Sequence, residues 1–221
     1  MQVLILASGR TIKEGGFPPD SKPKCLFNIN GETVLGRQLR ILHKFFTDDQ
    51  IFIVVNYKKE MIKEFCQTQG YNINFIEIED INDPIADFKA GLSHITEDLL
   101  FIVGDYCFEG DITLEAFITN PKPFVVFAHS TEIYMMKVSK ELIPELYKVD
   151  QIDTKRAVGW KPLEFGGDRL ILRLWGLAKV KRAKVYRLVM DIDLYWQTDE
   201  GVAAGYTEQK WQKEWKNKCK Y

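Results

Sequence analysis

LILASGRTIKEGGFPPDSKPKCLF, Leu4–Phe27, decides how the rest of the chain is read. Leu4-Ile5-Leu6-Ala7 runs without polar alternation into Ser8-Gly9. Such a run predicts a strand buried on both faces, as in a parallel sheet covered by helices. In an open α/β sheet, ligands gather outside the carboxyl ends of the strands, so Ala7-Ser8-Gly9 falls on the ligand edge. Small residues there admit a ligand close to the backbone, and their N–H groups suit phosphate oxygens. The loop that follows carries Arg10, Lys13, Lys22 and Lys24. Taken alone, these cations also fit a solvated surface loop. On a ligand edge they suit a triphosphate, whose transfer chemistry rests on positioning and cationic stabilisation. The loop has neither GxxxxGK[ST] nor GxGxxG, so it is not a P-loop or a dinucleotide fingerprint.

Outward from this stretch, strand and helix patterns alternate. Strands are expected at Val3–Leu6, Ile51–Val55, Ile73–Ile78 and Leu99–Val103, and helices at Thr33–Phe46, Tyr57–Gln69 and Pro84–Ile95. That spacing is the βαβ rhythm of a parallel sheet with right-handed crossovers. The second half is less regular. Strands are expected at Pro123–Ala128, Glu132–Val138, Leu170–Ala178 and Val185–Met190, a short helix at Ser139–Lys148, a polar loop over Asp150–Gly167, and a terminal helix over Asp199–Lys218. With no Pro/Ser linker and no repeat, the reading is one α/β domain over 1–221. Residues 1–110 form its nucleotide-binding half, 111–198 a lid-like acceptor half that extends the same sheet, and 199–221 a C-terminal helix. That helix is expected to dock on its own domain, with a homodimer left open.

Composition narrows the function. The chain has 221 residues, 46% hydrophobic and 28% charged, and a net charge of −1, so nothing points to nucleic acid or an anionic membrane. No apolar run approaches a bilayer span. Met1-Gln2 leads straight into a strand with no basic n-region, and a cytoplasmic location is expected. Cys25, Cys66, Cys107 and Cys219 are scattered, which suggests neither a zinc site nor a disulfide framework.

Two acidic positions stand out. Gly104-Asp105 follows the strand at Leu99–Val103, on the same edge as the opening loop. Asp191-Ile192-Asp193 follows the strand at Val185–Met190, and alternation puts its two carboxylates on one side. A Mg²⁺ ion takes one or two carboxylates and fills its octahedron with water and phosphate oxygens, so two carboxylate sources on one edge suit it. Each position alone also fits a turn or the approach to a helix.

Together these motifs resemble the nucleotidyltransferases that activate sugar phosphates, phosphocholine and related small phosphates. The resemblance rests on Leu6-Ala7-Ser8-Gly9-Arg10-Thr11-Ile12-Lys13, on Pro23-Lys24-Cys25-Leu26, on the run from Phe27 to Leu39, on Ile51–Phe65, on Asp83-Pro84-Ile85-Ala86, on Phe101–Asp105 and on Asp191-Ile192-Asp193. It covers most of the chain, and the order of the motifs makes it specific. It implies a GT-A-like, Rossmann-like three-layer α/β/α fold with a mostly parallel mixed sheet. It also implies an enzyme that moves a nucleoside monophosphate from CTP, GTP or UTP to a small phosphorylated acceptor and releases pyrophosphate. Leu6, Ala7, Ser8 and Gly9 would hold base and sugar, with Asp83 and Pro84 at the base-reading segment. Arg10 or Lys13 would bind the β/γ-phosphates, and Lys24 the α-phosphate or acceptor phosphate. Asp105 and one of Asp191 or Asp193 would hold Mg²⁺. The acceptor phosphate is already ionised, so no general base is needed.

The sequence departs from the family pattern at Thr11, which replaces the second glycine, at Lys13, which replaces an arginine, and after Asp193. Three other readings stay open: a molybdenum-cofactor guanylyltransferase-like enzyme, suggested by Pro84–Leu92, a GT-A glycosyltransferase, and a catalytically inactive relative. Against the glycosyltransferase, Gly104-Asp105-Tyr106-Cys107 lacks the second aspartate of a DxD motif. Tyr134, Trp160, Phe165 and Trp175 are candidates to line an acceptor pocket, although aromatic residues more commonly fill cores.

Overall fold

A strand that is apolar on both faces needs a bonded strand on each side and a helix layer above and below. In the computed structural model, β1 (Gln2–Ala7) has all four. It pairs in parallel with β4 (Ile51–Val55) and with β6 (Leu99–Val103), so Leu6 lies between Val54 and Val103. β5 (Asn74–Glu77) joins β4 in parallel. Beyond β6 the direction reverses: β9 (Glu132–Val138) runs antiparallel to β6, and β8 (Phe124–His129) antiparallel to β9. The order is β5-β4-β1-β6-β9-β8, a mixed and mostly parallel sheet. The structure describes residues 1–9, 18, 21–79, 84–108, 111–129, 132–147, 189–191 and 198–205.

Alternation along β1 divides the core in two. Val3, Ile5 and Ala7 pack with Leu35, Leu39 and Leu42 of α1 (Val34–Leu42), Ile62 and Cys66 of α2 (Lys59–Thr68), and Leu114 and Phe117 of α4 (Asp111–Ile118). Leu4 packs on the opposite face with Phe88 and Leu92 of α3 (Pro84–Leu92), and with Ile143 and Leu146 of α5 (Ile143–Leu146). The three-layer α/β/α arrangement is thus as expected. The face change has a topological cause. The chain winds from β1 through β4 to β5, then crosses back over β1 to β6. Right-handed crossovers in opposite directions put α1 and α2 on one face and α3 on the other. The strand order reverses between β1 and β6, and the crevice of an open α/β sheet opens at that point.

Most predicted elements appear with boundaries moved by a few residues. Thr33 is the cap of α1, its Oγ1 accepting from the Gly36 N–H at 3.0 Å. The expected helix at Ser139–Lys148 is a 3₁₀ turn, Lys140–Leu142, followed by α5 with its proline in the first turn. Among the described residues, one α-helix and three strands were not foreseen: α4, the short hairpin of β2 (Asn28–Ile29) and β3 (Glu32–Thr33), and β7 (Tyr106–Phe108). Two expectations are corrected. The second half does not all extend the main sheet, because β10 (Val189–Asp191) pairs antiparallel with β7 in a separate ladder. The terminal helix does not run unbroken from Asp199: α6 (Asp199–Ala203) caps at Ala204, and Gly205 has φ +67°, a left-handed conformation that ends a helix. The rest of that helix, the loop at 150–167 and the strand at 170–178 lie outside the described residues.

Candidate active site

The expected ligand edge is built from three chain segments. β1 ends at Ala7, and Ser8-Gly9 continues it. Ser8 is buried, and its Oγ donates to Asp87 Oδ2, in the first turn of α3, at 2.5 Å. A Cβ built on Gly9 would meet nothing within 4 Å among the described residues. The second segment is the 3₁₀ turn Lys24–Leu26. Cys25 and Leu26 are buried beneath it, which leaves Lys24 directed along the edge. The third is Gly104-Asp105, between β6 and β7.

Gly104 closes the site. Its N–H donates to the Leu6 carbonyl at 2.8 Å, and a Cβ on it would sit 2.8 Å from that oxygen and 3.0 Å from Ala7 Cβ. Only glycine fits so close to β1. Asp105 therefore stands beside the end of β1, and Lys24 Nζ meets its Oδ2 at 3.2 Å. The side chains are 13% and 23% exposed, so this is a half-sheltered ion pair with one side toward solvent. Two sites singled out on separate stretches of sequence are in direct contact.

The β7–β10 ladder brings in the third. Asp191 is the register partner of Tyr106, the residue after Asp105. The two acidic stretches, far apart in sequence, thus meet at one corner. The donors fit a hard divalent cation: one partly exposed carboxylate that already attracts an ammonium, and a second aspartate delivered by register. Among the described residues, no group of three or more His, Cys, Asp and Glu is placed to hold a metal ion. Leu6 and Ala7 lie in β1 as expected, and Pro84 begins α3. Arg10, Lys13, Asp83 and Asp193 lie outside the described residues, as do Trp160, Phe165, Trp175 and the Tyr134 side chain.

Several neighbours were missed by reading the sequence. Lys22, grouped above with the phosphate-directed cations, bonds Glu200 Oε1 at 2.5 Å and lies 5.1 Å from the centre of the Phe27 ring. Glu200 also accepts from the Asn28 N–H and from Asn28 Nδ2, while Asp199 accepts from the N–H groups of Asn30 and Gly31. The signal was present as Thr198-Asp199-Glu200: a cap residue followed by two acids. Thr198 Oγ1 does cap the Gly201 N–H at 3.0 Å. Gln38, a polar residue on the apolar stripe of α1, holds the carbonyls of Val103 and Tyr106. The buried Cys25 thiol is pushed up in pKa, first by burial and then by the Asp105 charge, so it is no nucleophile.

The comparisons with known proteins agree with this geometry. A family model described as the MobA-like NTP transferase domain matches residues 3–162. The chain belongs to that family. The expected resemblance to the nucleotidyltransferases, and the fold, are therefore borne out. The chain is 28% identical over 113 residues to the bifunctional protein GlmU of Methanococcus aeolicus, covering 51% of this chain but only 26% of that relative. The chain thus matches about a quarter of the relative's length. Among solved structures, a nucleotidyl transferase from Methanothermobacter thermautotroptrophicus aligns with a TM-score of 0.53 at 17% identity, covering 69% of this chain and 77% of the other. A homolog of Mycobacterium tuberculosis rv0371c from Mycobacterium sp. strain JC1 aligns at 0.55 and 15% identity, covering 93% and 96%. At such identities these two show the fold alone. No helix among the described residues is long and apolar enough to cross a membrane.

Proposed function

We propose that this NTP transferase domain moves a nucleoside monophosphate from a triphosphate to a small phosphorylated acceptor, such as a sugar-1-phosphate, a polyol phosphate or a phosphocholine-like molecule. The observation that carries this reading is the Lys24–Asp105 pair at the switch point between β1 and β6, with Asp191 brought to the same corner by register. A cation for phosphate and a carboxylate for metal, side by side at the open end of β1, are what in-line phosphoryl chemistry requires.

The nucleotide would lie over Ala7-Ser8-Gly9, where no described residue crowds the backbone at Gly9. Asp83 and Pro84 would read the base. An oxygen of the acceptor phosphate attacks the α-phosphorus. A new P–O bond forms there while the bond to the bridging α–β oxygen breaks, and pyrophosphate leaves with that electron pair. Lys24, released from Asp105, would turn its charge to the α-phosphate or the acceptor phosphate, and Arg10 or Lys13 would hold the departing phosphates. Asp105, with Asp191 or Asp193, would hold Mg²⁺. When bound, the ion supplies charge neutralisation across the triphosphate. No general base is invoked, since the attacking oxygen is already ionised. We read the whole chain as one domain, with the acceptor bound mainly by residues 111–198.

The test is pyrophosphate release with each of four NTPs and Mg²⁺, against sugar-1-phosphates, polyol phosphates, phosphocholine and molybdopterin. Release with one NTP and one acceptor establishes the reaction and names both substrates. NTP binding with no release from any pair would point to an acceptor outside this panel or to an inactive relative. Transfer of a sugar from a nucleotide sugar would replace this reading with that of a glycosyltransferase.

A further inference from the structure

Gln38 lies on the buried stripe of α1 with Leu35, Leu39 and Leu42, and it is 0% exposed. An amide in such a place must be explained by its hydrogen bonds. Its Nε2 donates to the Val103 carbonyl at 3.0 Å and to the Tyr106 carbonyl at 2.6 Å. Both partners only accept, so the amide orientation is set by chemistry: the NH₂ faces them and Oε1 points away. That oxygen is buried and has no hydrogen-bond partner. The side chain thus leaves one group unsatisfied while spending both donors on two carbonyls, and those carbonyls bracket Gly104-Asp105.

We propose that Gln38 is a positioning residue for Asp105, a role that rests on the metal-site reading above. Gly104 is pressed against β1, where a Cβ would sit 2.8 Å from the Leu6 oxygen, and Asp105 follows it away from that contact. An aspartate that follows a glycine needs its backbone held if its carboxylate is to stay in one place. Gln38 holds the chain on both sides of the pair, from a helix rather than a loop. The same helix packs against the Lys24–Leu26 turn, so one rigid element braces both partners of the Lys24–Asp105 pair. Tyr106 is also the register partner of Asp191, so the bond to its carbonyl anchors the strand that delivers the second aspartate. Groups behind a metal ligand commonly set its affinity in this way.

The experiment compares Mn²⁺ uptake in the presence of inorganic pyrophosphate, read by electron paramagnetic resonance of free Mn²⁺, with the thermal unfolding midpoint. It uses the full chain, Gln38→Met, Gln38→Asn and Asp105→Asn. Methionine keeps the volume and loses both donors. Asparagine keeps the amide but is one methylene shorter, and it carries the test if Gln38→Met does not fold. The expected result is Mn²⁺ binding weakened roughly tenfold or more in Gln38→Met, a smaller loss in Gln38→Asn, and near-complete loss in Asp105→Asn. Gln38 variants that lose stability but bind Mn²⁺ as the wild type does would show a core filler and overturn the proposal. If Asp105→Asn binds as well as the wild type, or the wild type takes up no Mn²⁺, the metal-site reading itself fails and this proposal falls with it.

Discussion

At the scale of single residues, the site depends on close fits that leave little room for substitution. Lys24→Ala and Asp105→Ala should each lower turnover by about a hundredfold or more, as removal of one preorganised charge does at comparable centres. Their circular dichroism spectra should match that of the wild type, since neither side chain belongs to the two core clusters. Full activity in both variants would refute the site assignment. Gly104→Ala puts a methyl group 2.8 Å from the Leu6 oxygen, and overpacking of this kind costs about 1–3 kcal/mol. Urea unfolding would measure the loss. The cysteines make a chemical prediction. Cys25 is buried, and burial raises the Cys66 thiol to about 12, helped by the charge of Asp48. Both should resist a thiol reagent at neutral pH until denaturant is added, as counting thiols before and after unfolding would show. The lysines of the opening loop were legible as a group, but their separate roles were not. Lys24 meets Asp105 whereas Lys22 meets Glu200, and nothing in the spacing K-P-K distinguishes them.

At the scale of elements, the least expected contact is between α6 and the β2–β3 hairpin. Glu200 accepts from Lys22 and from the backbone and side chain of Asn28, and Asp199 receives the two N–H groups at the hairpin tip. The segment that leads into Lys24 is thereby pinned to a helix some 170 residues later in the chain. Glu200→Ala should destabilise the protein by about 1–2 kcal/mol, since it strands the Asn28 N–H, and Thr198→Ala by about 1 kcal/mol through loss of the cap. Equilibrium denaturation of the two variants checks both values. Little or no change in Glu200→Ala would mean that α6 is not a structural clamp. Strand positions were largely legible because buried strands are apolar runs, and Ile51–Val55 and Leu99–Val103 stand as expected. β7 escaped because a three-residue strand has no period of its own. The break after Ala203 was not foreseen because tryptophan spacing cannot reveal a stop at Gly205.

At the scale of the whole molecule, ionic contacts away from the site set the response to acid. Hydrogen bonds from Lys59, then Lys63, hold Glu77 at about 2, below its ordinary 4.5. Arg40 lowers Glu32 despite partial burial, with Arg37 assisting. Burial pushes Asp48 up, but hydrogen bonds from His43 and the Asn72 amide outweigh it and the net shift is down. A carboxylate depressed in the folded state contributes stability that is complete above its unfolded value and is lost as pH falls through the folded value. The unfolding midpoint should therefore hold steady above about pH 5 and decline as pH drops from there toward about 2. A midpoint that rose on acidification would contradict these pairings. Glu77→Gln should flatten part of the decline without touching activity, since β5 is two strands from β1.

What the sequence determined by itself were the features with a local physical cause. Apolar runs and helical stripes fixed the alternating elements, because burial is read directly from side-chain chemistry. The alternation fixed a parallel sheet, and the small residues after Leu6 marked its ligand edge. The tertiary structure alone decided which distant groups meet. Reversal of strand order between β1 and β6 set Gly104 against Ala7, and the β7–β10 register set Asp191 opposite Tyr106, the residue after Asp105. Gln38 and Glu200 gained their roles only through carbonyls and amides that fold up against them. A residue's own chemistry says whether it is buried. Its partner, by contrast, is chosen by the path of the whole chain.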